Sequence, residues 1–213
     1  MYKYQAVITA DMVNSTLFPR EKTTKWLDEM MYLLVDNPLF DWALKPEIYR
    51  GDSFQGVLKN YDQAMYAAIL ARVAMRKHAS NTDLRIAIGI GTTEKLTDRA
   101  GTSDGDAFRL SGHLADNIRK QKARIGIALP VPSEPLTATL TLLETLVESW
   151  TTSQSEAIMA LLQKKNITQI AEQLGISQSA ASQRVAASNW WAVEKFLSTF
   201  PEHLALYTKT EKR

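Results

Sequence analysis

Segments that favour strands and segments that favour helices alternate along the first 129 residues, and the alternation ends at a cluster of three prolines. Short apolar runs with β-branched residues predict strands, whereas apolar residues spaced three and four positions apart predict helices. In chain order the predicted elements are a strand at Gln5–Thr9, a helix at Lys25–Val35, a hairpin at Ile48–Leu58, a helix at Tyr61–Lys77, a strand at Leu84–Ile90, a helix at Ala107–Lys120 and a strand at Ile125–Leu129. This β-α-ββ-α-β-α-β order predicts a sheet covered by helices, in an α/β or α+β sandwich.

The prolines at positions 130, 132 and 135 indicate a domain boundary. The predicted division is an α+β domain at residues 1–131, a linker with a connecting helix at 132–151, and an all-α domain at 152–213. No strand pattern follows the prolines. Helices are predicted at Leu136–Trp150, Ser153–Lys165, Thr168–Leu174, Gln178–Ser188 and Trp190–Phe200. We expect Pro201 to end the last helix.

Residues 167–185, ITQIAEQLGISQSAASQRV, have the spacing of a helix-turn-helix motif. Such a motif needs a small residue in its first helix, where the second helix crosses closely, and Ala171 occupies that position. The turn needs a residue that tolerates positive φ, and Gly175 follows four residues later. Ser177 is placed to cap the second helix. The apolar contacts of the motif are assigned to Ile170, Leu174, Ile176, Ala181 and Val185.

If this motif binds double-stranded DNA, its second helix supplies the side chains that enter the major groove. The candidate DNA-binding residues are Gln178, Ser179, Ser182, Gln183 and Arg184, together with Lys164 and Lys165, which suit phosphate contacts. No Asp or Glu occurs from Gly175 through Asn189, which favours DNA over a protein partner. The aromatic residues that bracket the motif, Trp150, Trp190 and Trp191, are interpreted as packing residues.

The composition excludes several kinds of site. There are no cysteines, which excludes disulfides, a cysteine-ligated zinc site and a thiol nucleophile. Three histidines, His78, His113 and His203, are too few and too scattered to suggest a metal cluster. We see neither a signal peptide nor the roughly 18 apolar residues of a membrane span, so we expect a cytoplasmic protein with no membrane partner. The net charge of +2 permits binding to a polyanion without arguing for it.

Two aspartates of the first domain follow segments that favour strands. Asp11 ends the run ITAD, and Asp52 lies at the predicted hairpin turn in IYRGDSFQGVL. Carboxylates at neighbouring strand ends could share Mg²⁺, which prefers oxygen ligands and often bridges to phosphates. Aspartates are also common at turns, where their side chains form local hydrogen bonds. The pattern alone leaves both interpretations open.

The arrangement of these residues resembles the class III nucleotide cyclase fold. The resemblance rests on Asp11 at a strand end, Gly51-Asp52-x-Phe54, Leu84-Arg85-Ile86-x-Ile88-Gly89-x-Gly91 and Gly105-Asp106. It extends over almost the whole first domain and implies a ferredoxin-like α+β sandwich. The sequence GDSFQG followed by a helix-turn-helix resembles the SatD-like family of bacterial proteins still more closely. That resemblance implies a cyclase-like domain joined to a C-terminal DNA-binding segment.

In the cyclases two aspartates bind metal ions, and the resemblance assigns that role to Asp11 and Asp52, with Mg²⁺ as the implied cofactor. The transition-state Asn and Arg of the family are replaced by Arg109 and His113. We therefore expect no ordinary cyclase activity. The remaining expectation is a nucleotide or phosphate ligand bound by Arg50, Asp52, Ser53 and Arg109. The alternative is a retired fold in which the two aspartates cap turns and pair with Arg50 or Arg109.

These features together predict a DNA-binding transcription regulator whose first domain senses a nucleotide-type ligand or mediates dimerisation. Cyclase-like domains commonly pair head to tail, and a dimer would present two recognition helices to two half-sites, so we expect a homodimer. A divergent nucleotide cyclase or nucleotidyl-transfer enzyme that uses Asp11, Asp52 and Mg²⁺ is the second hypothesis. A protein-interaction adaptor that uses the helical domain is the third.

Overall fold

One mixed sheet organises the first part of the chain. The computed structural model describes residues 4–49, 51–79, 81–121 and 123–208. Within them the strands are β1 (Gln5–Val13), β2 (Trp42–Tyr49), β3 (Ser53–Leu58), β4 (Asp83–Gly91) and β5 (Ile125–Ala128). Their order in the sheet is β2-β3-β1-β4-β5. Neighbouring strands are antiparallel except for β4 and β5, which are parallel.

Helices connect the strands and then make up the rest of the described chain. The connecting helices are α1 (Arg20–Val35), α2 (Ala64–Arg76) and α3 (Asp106–Lys120), and the following ones are α4 (Glu134–Glu148), α5 (Thr152–Leu162), α6 (Ile167–Leu174), α7 (Gln178–Ala187) and α8 (Trp190–Thr208). The predicted order of elements and the α+β class with an all-helical end are therefore confirmed. No helix in the described ranges has both the length and the apolar character needed to cross a bilayer.

The two faces of the sheet carry different helices because successive residues of a strand point in opposite directions. Ala6 and Ile8 of β1 share one hydrophobic core with buried residues of α1 and α2. Val7, between them, packs with Ala107 of α3 on the opposite face. The sheet is therefore covered on both sides, as the alternation of elements predicts.

Helix α3 lies unusually close to β4. A Cβ atom at Gly89 would lie 2.2 Å from the carbonyl oxygen of Ala107, so only glycine permits this approach. The close contact brings buried Ser111 of α3 onto the sheet, where its hydroxyl donates to Thr9 Oγ1 at 2.6 Å. Gln55 Nε2 donates to the same Thr9 oxygen at 2.7 Å. This face of the sheet therefore contains a short polar chain of hydrogen bonds.

Helix α2 is buried around nearly its whole circumference, which its sequence AMYAAILARVAMR favours. It contacts α1 and β4 in the first part of the chain, and α5 and α8 in the second. The hydroxyl of Tyr66 on α2 donates to the carbonyl oxygen of Leu162 on α5 at 3.3 Å. One hydrophobic core runs from the sheet through α2 into α4, α5 and α8, where Leu140, Ile158 and Val193 belong to it. The core thus continues across the proline cluster.

Helix α8 does not end at Pro201, so that prediction is wrong. The helix continues to Thr208. Pro201 cannot donate a backbone hydrogen bond to the preceding turn, but Phe200 and Leu204 on either side of it are buried in the main core. Packing of these two side chains in the core keeps the segment helical, although one backbone hydrogen bond is missing at Pro201.

The three tryptophans around the motif do not all pack inside, so the prediction is wrong for Trp191. Trp150 and Trp190 are buried, with ring centroids 6.1 Å apart, whereas 71% of the surface of Trp191 is exposed. Trp150 also donates from Nε1 to the carbonyl oxygen of Ser188 at 2.7 Å. Adjacent residues of a helix point about 100° apart, so Trp190 and Trp191 cannot both face the same core.

Candidate functional site

Helices α5, α6 and α7 form a three-helix unit around a small apolar core of their own. The core consists of Ala157, Ala160, Ile170, Ala171 and Ala181, with Leu161, Ile167, Leu174, Ile176 and Val185 packed against it. Every residue to which the sequence assigned an apolar contact of the helix-turn-helix lies in this cluster. Ala171 and Ala181 are both buried, and their small side chains allow α6 and α7 to cross closely.

The turn between α6 and α7 has the geometry that the sequence predicts. Gly175 has φ 63° and ψ 36°, in the left-handed region, and ends α6. The N–H of Ile176 donates back to the carbonyl oxygen of Ala171 at 3.0 Å. Ser177 then caps α7 by accepting a hydrogen bond from the N–H of Ala180 at 3.2 Å. These local bonds fix the direction in which α7 leaves the turn.

The outer face of α7 is polar and open. Gln178, Ser179, Ser182 and Gln183 are all exposed. Because these positions are separated mainly by three and four residues, their side chains share one face of the helix. Ala181, on the inner side, is 0% exposed. The structure thus gathers four of the five candidate residues of this helix on one accessible surface.

Arg184, the fifth candidate on α7, is directed toward α5. Its Nη1 atom lies 3.4 Å from Oε2 of Glu156, and 29% of its side chain is exposed. The carboxylate competes with any outside anion for the guanidinium. Sequence reasoning missed this partner because Glu156 precedes Arg184 by 28 residues, and only the packing of α5 against α7 brings the two together.

The two lysines before α6 lie beside the beginning of that helix. Lys164 is exposed and has φ 65°, at the tight turn that follows α5. Lys165 is half-buried and donates from Nζ to the side-chain oxygen of Gln173. Asn166 caps α6, and its side chain accepts a hydrogen bond from the N–H of Gln169 at 3.0 Å. Lys164 is therefore the more accessible of the two cations.

Asp11, the first of the cyclase-like aspartates, lies on β1 between two arginines. Arg85 Nη1 donates to Oδ2 at 2.9 Å, from the residue directly opposite on β4. Arg119 Nε, from the last turn of α3, lies 3.4 Å from Oδ1. The Asp11 side chain is 15% exposed, so these arginines occupy both of its oxygens at a largely covered position. A metal ion at Asp11 would have to displace them.

Asp52, the second aspartate, lies at the hairpin turn next to the end of β1. The N–H of Met12 donates to its backbone oxygen at 2.9 Å. Its carboxylate accepts hydrogen bonds from the hydroxyl of Ser15, at 2.8 Å, and from the hydroxyl of buried Ser53, at 3.3 Å. Asp11 lies two residues before the end of β1 and not at its end, opposite Ser53 and so close to the turn that carries Asp52, but each aspartate has its own set of partners. Arg50, which the sequence predicts to bind the ligand, lies outside the residues that the structure describes.

Arg109 is surrounded by three carboxylates. Its Nη2 atom donates to Asp106 at 2.7 Å and to Glu94 at 2.9 Å, and its Nη1 atom donates to Asp104 at 2.9 Å. The hydrogen bond from Arg109, followed by one from the hydroxyl of Thr92, lowers the pKa of the Asp106 carboxyl. Hydrogen bonds to Asp106 and Glu94 raise the pKa of Arg109. The cluster has more negative than positive charge, which disfavours a phosphate at Arg109.

A cleft beside the β2–β3 hairpin does not include Asp52, Ser53 or Arg109, the predicted ligand-binding residues that the structure describes. This cleft has a volume of about 500 Å³ and lies beside Gln55, between the hairpin and the segment 99–102. Its lining consists of Glu47, Ile48, Tyr49, Gln55, Arg99, Ala100, Gly101 and Thr102. Asp11, Asp52 and Arg109 are not part of that lining. Within the described ranges, no group of three or more His, Asp or Glu side chains is arranged to hold a metal ion.

Sequence reasoning also missed a buried charge network between α2, β4 and α4. Arg72, which is fully buried, forms two hydrogen bonds of 2.8 and 2.9 Å with the carboxylate of Asp83. It forms two more, of 2.9 and 3.1 Å, with Glu144 of α4. A sequence signal exists: Arg72 stands in a helix that is otherwise apolar, and Glu144 interrupts a leucine-rich one. A charge on a face that should be buried indicates a partner elsewhere in the chain.

A second arginine of α2 extends the network to the end of α4. Arg76 Nη1 donates to Asp83 at 2.8 Å, and its Nη2 donates to the backbone oxygens of Glu148 and Trp150 at 2.9 and 2.5 Å. Burial acts to raise the pKa of the Asp83 carboxyl, but the charge and hydrogen bonds of Arg72, and then the charge of Arg76, outweigh it and hold that pKa below its ordinary value. The network therefore attaches α4 to the sheet domain.

No protein-family model and no curated protein matches this chain. Among solved structures, the active GGEEF domain of a diguanylate cyclase from Vibrio cholerae is similar, with 16% identity and a TM-score of 0.42 over 62% of this chain and 85% of that one. A bacterial light-regulated adenylyl cyclase is also similar, with 13% identity and a TM-score of 0.39. That match covers 60% of this chain and 43% of the cyclase chain. Both are distant likenesses to nucleotide cyclase domains, and with TM-scores below 0.5 they assign neither a family nor an activity.

Proposed function

We propose that this chain binds double-stranded DNA through α7. The observation that carries the proposal is the open polar face formed by Gln178, Ser179, Ser182 and Gln183, which burial of Ala181 directs outward. Glutamine amides can pair with adenine, and serine hydroxyls can reach base edges or phosphates. A helix of this kind, held by a short turn against a preceding helix, is the element that enters the major groove in helix-turn-helix proteins.

The residues around α7 supply the charge that the proposal needs. Between positions 164 and 189 the chain carries three basic residues, Lys164, Lys165 and Arg184, against the single acid Glu172. Lys164 is exposed next to the first turn of α6, where the helix dipole also favours a phosphate. Phosphate contacts of this kind would position α7 and make binding dependent on salt concentration.

The ion pair between Arg184 and Glu156 affects how Arg184 could contact DNA. In the free protein its guanidinium faces Glu156, so it must leave that carboxylate to reach DNA. We expect Arg184→Ala to weaken binding. We expect Glu156→Gln to strengthen it, because the substitution removes the competing charge and keeps the shape of the side chain. Opposite effects of these two substitutions would show that Arg184 contacts DNA and does not merely stabilise α7.

The test begins with selection of bound fragments from a randomised duplex pool, followed by fluorescence anisotropy on the selected DNA. The double variant Gln178→Ala/Gln183→Ala should bind more weakly, by about 1–3 kcal/mol for each base that the wild-type glutamines recognise. Thr141→Ala, an exposed polar substitution on α4, is the matched control and should bind as the wild type does. Unchanged affinity of the double variant, or no enrichment of any duplex by the wild type, would refute the proposal.

The charge pairs of the first domain disfavour nucleotide turnover and a bound Mg²⁺. Asp11 is paired with Arg85 and Arg119, and Arg109 is paired with three carboxylates, so binding a nucleotide would require several of these pairs to break. Incubation with ATP or GTP and Mg²⁺ or Mn²⁺ tests the cyclase alternative directly. A product that disappears in Asp52→Ala would favour that alternative.

A further inference from the structure

Helix α8 carries an exposed stripe along its outer side. The stripe consists of Trp191, Lys195, Ser198, Glu202 and Leu206. Their spacing of three and four residues places them in one line along the helix. Trp191 and Leu206, near its two ends, are 71% and 69% exposed, whereas Val193 and Leu204 on the inner side are fully buried. Two large apolar side chains are thus held in solvent on a helix that is otherwise well packed.

The stripe is complementary to itself when the direction of the helix is reversed. Consider two copies of α8 packed antiparallel about a twofold axis between Ser198 and Thr199. Trp191 of one copy then lies opposite Leu206 of the other, and Lys195 lies opposite Glu202. Neither Lys195 nor Glu202 has an ion-pair partner in the described part of the chain. Each apolar residue therefore meets an apolar residue, and each charge meets its opposite.

A neighbouring cavity supports the same arrangement. The space between α2, α5 and the first half of α8 has a volume of about 830 Å³, and its lining includes Tyr66, Leu161, Lys164, Trp191 and Leu197. In the antiparallel pairing, Leu206 of the other copy lies opposite Trp191, which lines this cavity. Leu206 of that copy then covers apolar surface that is exposed in the single chain.

We propose that the chain forms a homodimer through antiparallel pairing of α8. A second copy fits this surface better than DNA or a lipid headgroup, because the stripe carries one acid and one base in matched positions and no excess of positive charge. Such a contact is isologous and closes at two chains. It differs from the head-to-tail pairing that the cyclase resemblance implies, and it does not depend on DNA binding.

Sedimentation equilibrium of the full chain over a range of micromolar concentrations measures the dimer dissociation constant and so tests whether α8 forms the interface. The wild type is expected to sediment as a dimer. Leu206→Asp and Trp191→Ala should each raise the dimer dissociation constant by about a hundredfold or more, since each substitution acts twice across a twofold axis. Leu142→Asp, at a leucine of α4 that is also 71% exposed, is the control and should leave the dimer intact. Circular dichroism confirms that each variant is folded.

Charge reversal tests the pairing of residues. Lys195→Glu alone or Glu202→Lys alone should weaken the dimer by about tenfold, because each places like charges opposite one another. The double variant Lys195→Glu/Glu202→Lys should restore wild-type affinity, because both exchanged charges again meet their opposites. A monomeric wild type, a dimer that none of these variants weakens, or a double variant no tighter than the single ones would overturn the proposal.

Discussion

At the scale of single residues, the partners of each charged side chain decide which candidates remain available for a ligand. Asp11 and Arg109 carry the charges that a phosphate or metal site needs, but both are already paired within the fold. Gln178 and Gln183 carry no charge and are open to solvent. A residue type that suits a function is therefore weak evidence until its neighbours are known. Here the neighbours favour α7 over the aspartates as a surface that is open to a ligand.

The buried network around Asp83 leads to a prediction about stability in acid. The pKa of Asp83 is lower in the folded chain than in the unfolded one, where it is about 3.9. The unfolded chain therefore takes up the proton first as the pH falls. The stabilisation is fully present above the pKa of a free aspartate and is lost as the pH falls below it, toward the folded pKa.

Urea unfolding at a series of pH values from about 7 to about 3 measures this effect. Asp83→Asn should lower the free energy of unfolding at neutral pH by about 3 kcal/mol, because it leaves Arg72 and Arg76 without their shared carboxylate. The difference between wild type and variant should then shrink as the pH falls below about 4. A difference that is the same at both ends of the pH range would contradict the role given to Asp83.

At the scale of elements, small side chains set the distance between α5, α6 and α7. Ala157 and Ala160 of α5 meet Ala171 of α6 and Ala181 of α7 in a core in which Ile170 is the one large residue among the fully packed members of the described cluster. Small residues let the helix backbones approach one another closely. The orientation of the exposed face of α7 therefore depends on these alanines as much as on the turn at Gly175.

We expect Ala181→Leu to destabilise this unit by about 1–3 kcal/mol, because a larger side chain cannot enter a close-packed core without displacing its neighbours. Ala186→Leu, on the exposed part of the same helix, is the matched control and should change the stability little. Thermal unfolding followed by circular dichroism compares the two. Equal melting temperatures would show that α7 is more loosely packed than the structure indicates.

At the scale of the whole molecule, α2 determines how the two parts of the chain depend on each other. The sheet and α1 cover one part of its surface, and α5 and α8 cover another. The charge network around Arg72 adds polar bonds between α2 and α4. Removing the helical part would expose apolar surface on α2 and leave Arg72 without Glu144.

A fragment of residues 1–131 is therefore expected to aggregate or to lack a cooperative unfolding transition. The full chain should unfold in a single transition, with tryptophan fluorescence and far-ultraviolet circular dichroism changing together. The sequence places Trp26 and Trp42 before the prolines and Trp150, Trp190 and Trp191 after them, so fluorescence reports on both parts. A fragment as stable as the full chain would show that residues 1–131 form an independent domain.

Much of the secondary structure follows from local pattern. The clearest segments, such as Leu84–Ile90 and Thr168–Leu174, agree with the structure within one residue at each end. Strand β1 continues four residues beyond the predicted Thr9, because β3 pairs with it as far as Asp11 and β4 pairs with it as far as Val13. The length of a strand therefore depends on the strands that pair with it, and the sequence of that strand alone does not predict its last residue.

The sequence by itself determined the order of elements, the all-helical end and the turn at Gly175, because periodicity, caps and backbone conformation depend on residues a few positions apart. Only the tertiary structure decided which charges are paired, that Trp191 remains outside, and that one core passes through α2. Those outcomes depend on residues far apart in the chain, as Arg72 and Glu144 are, which meet only when helices pack against the sheet.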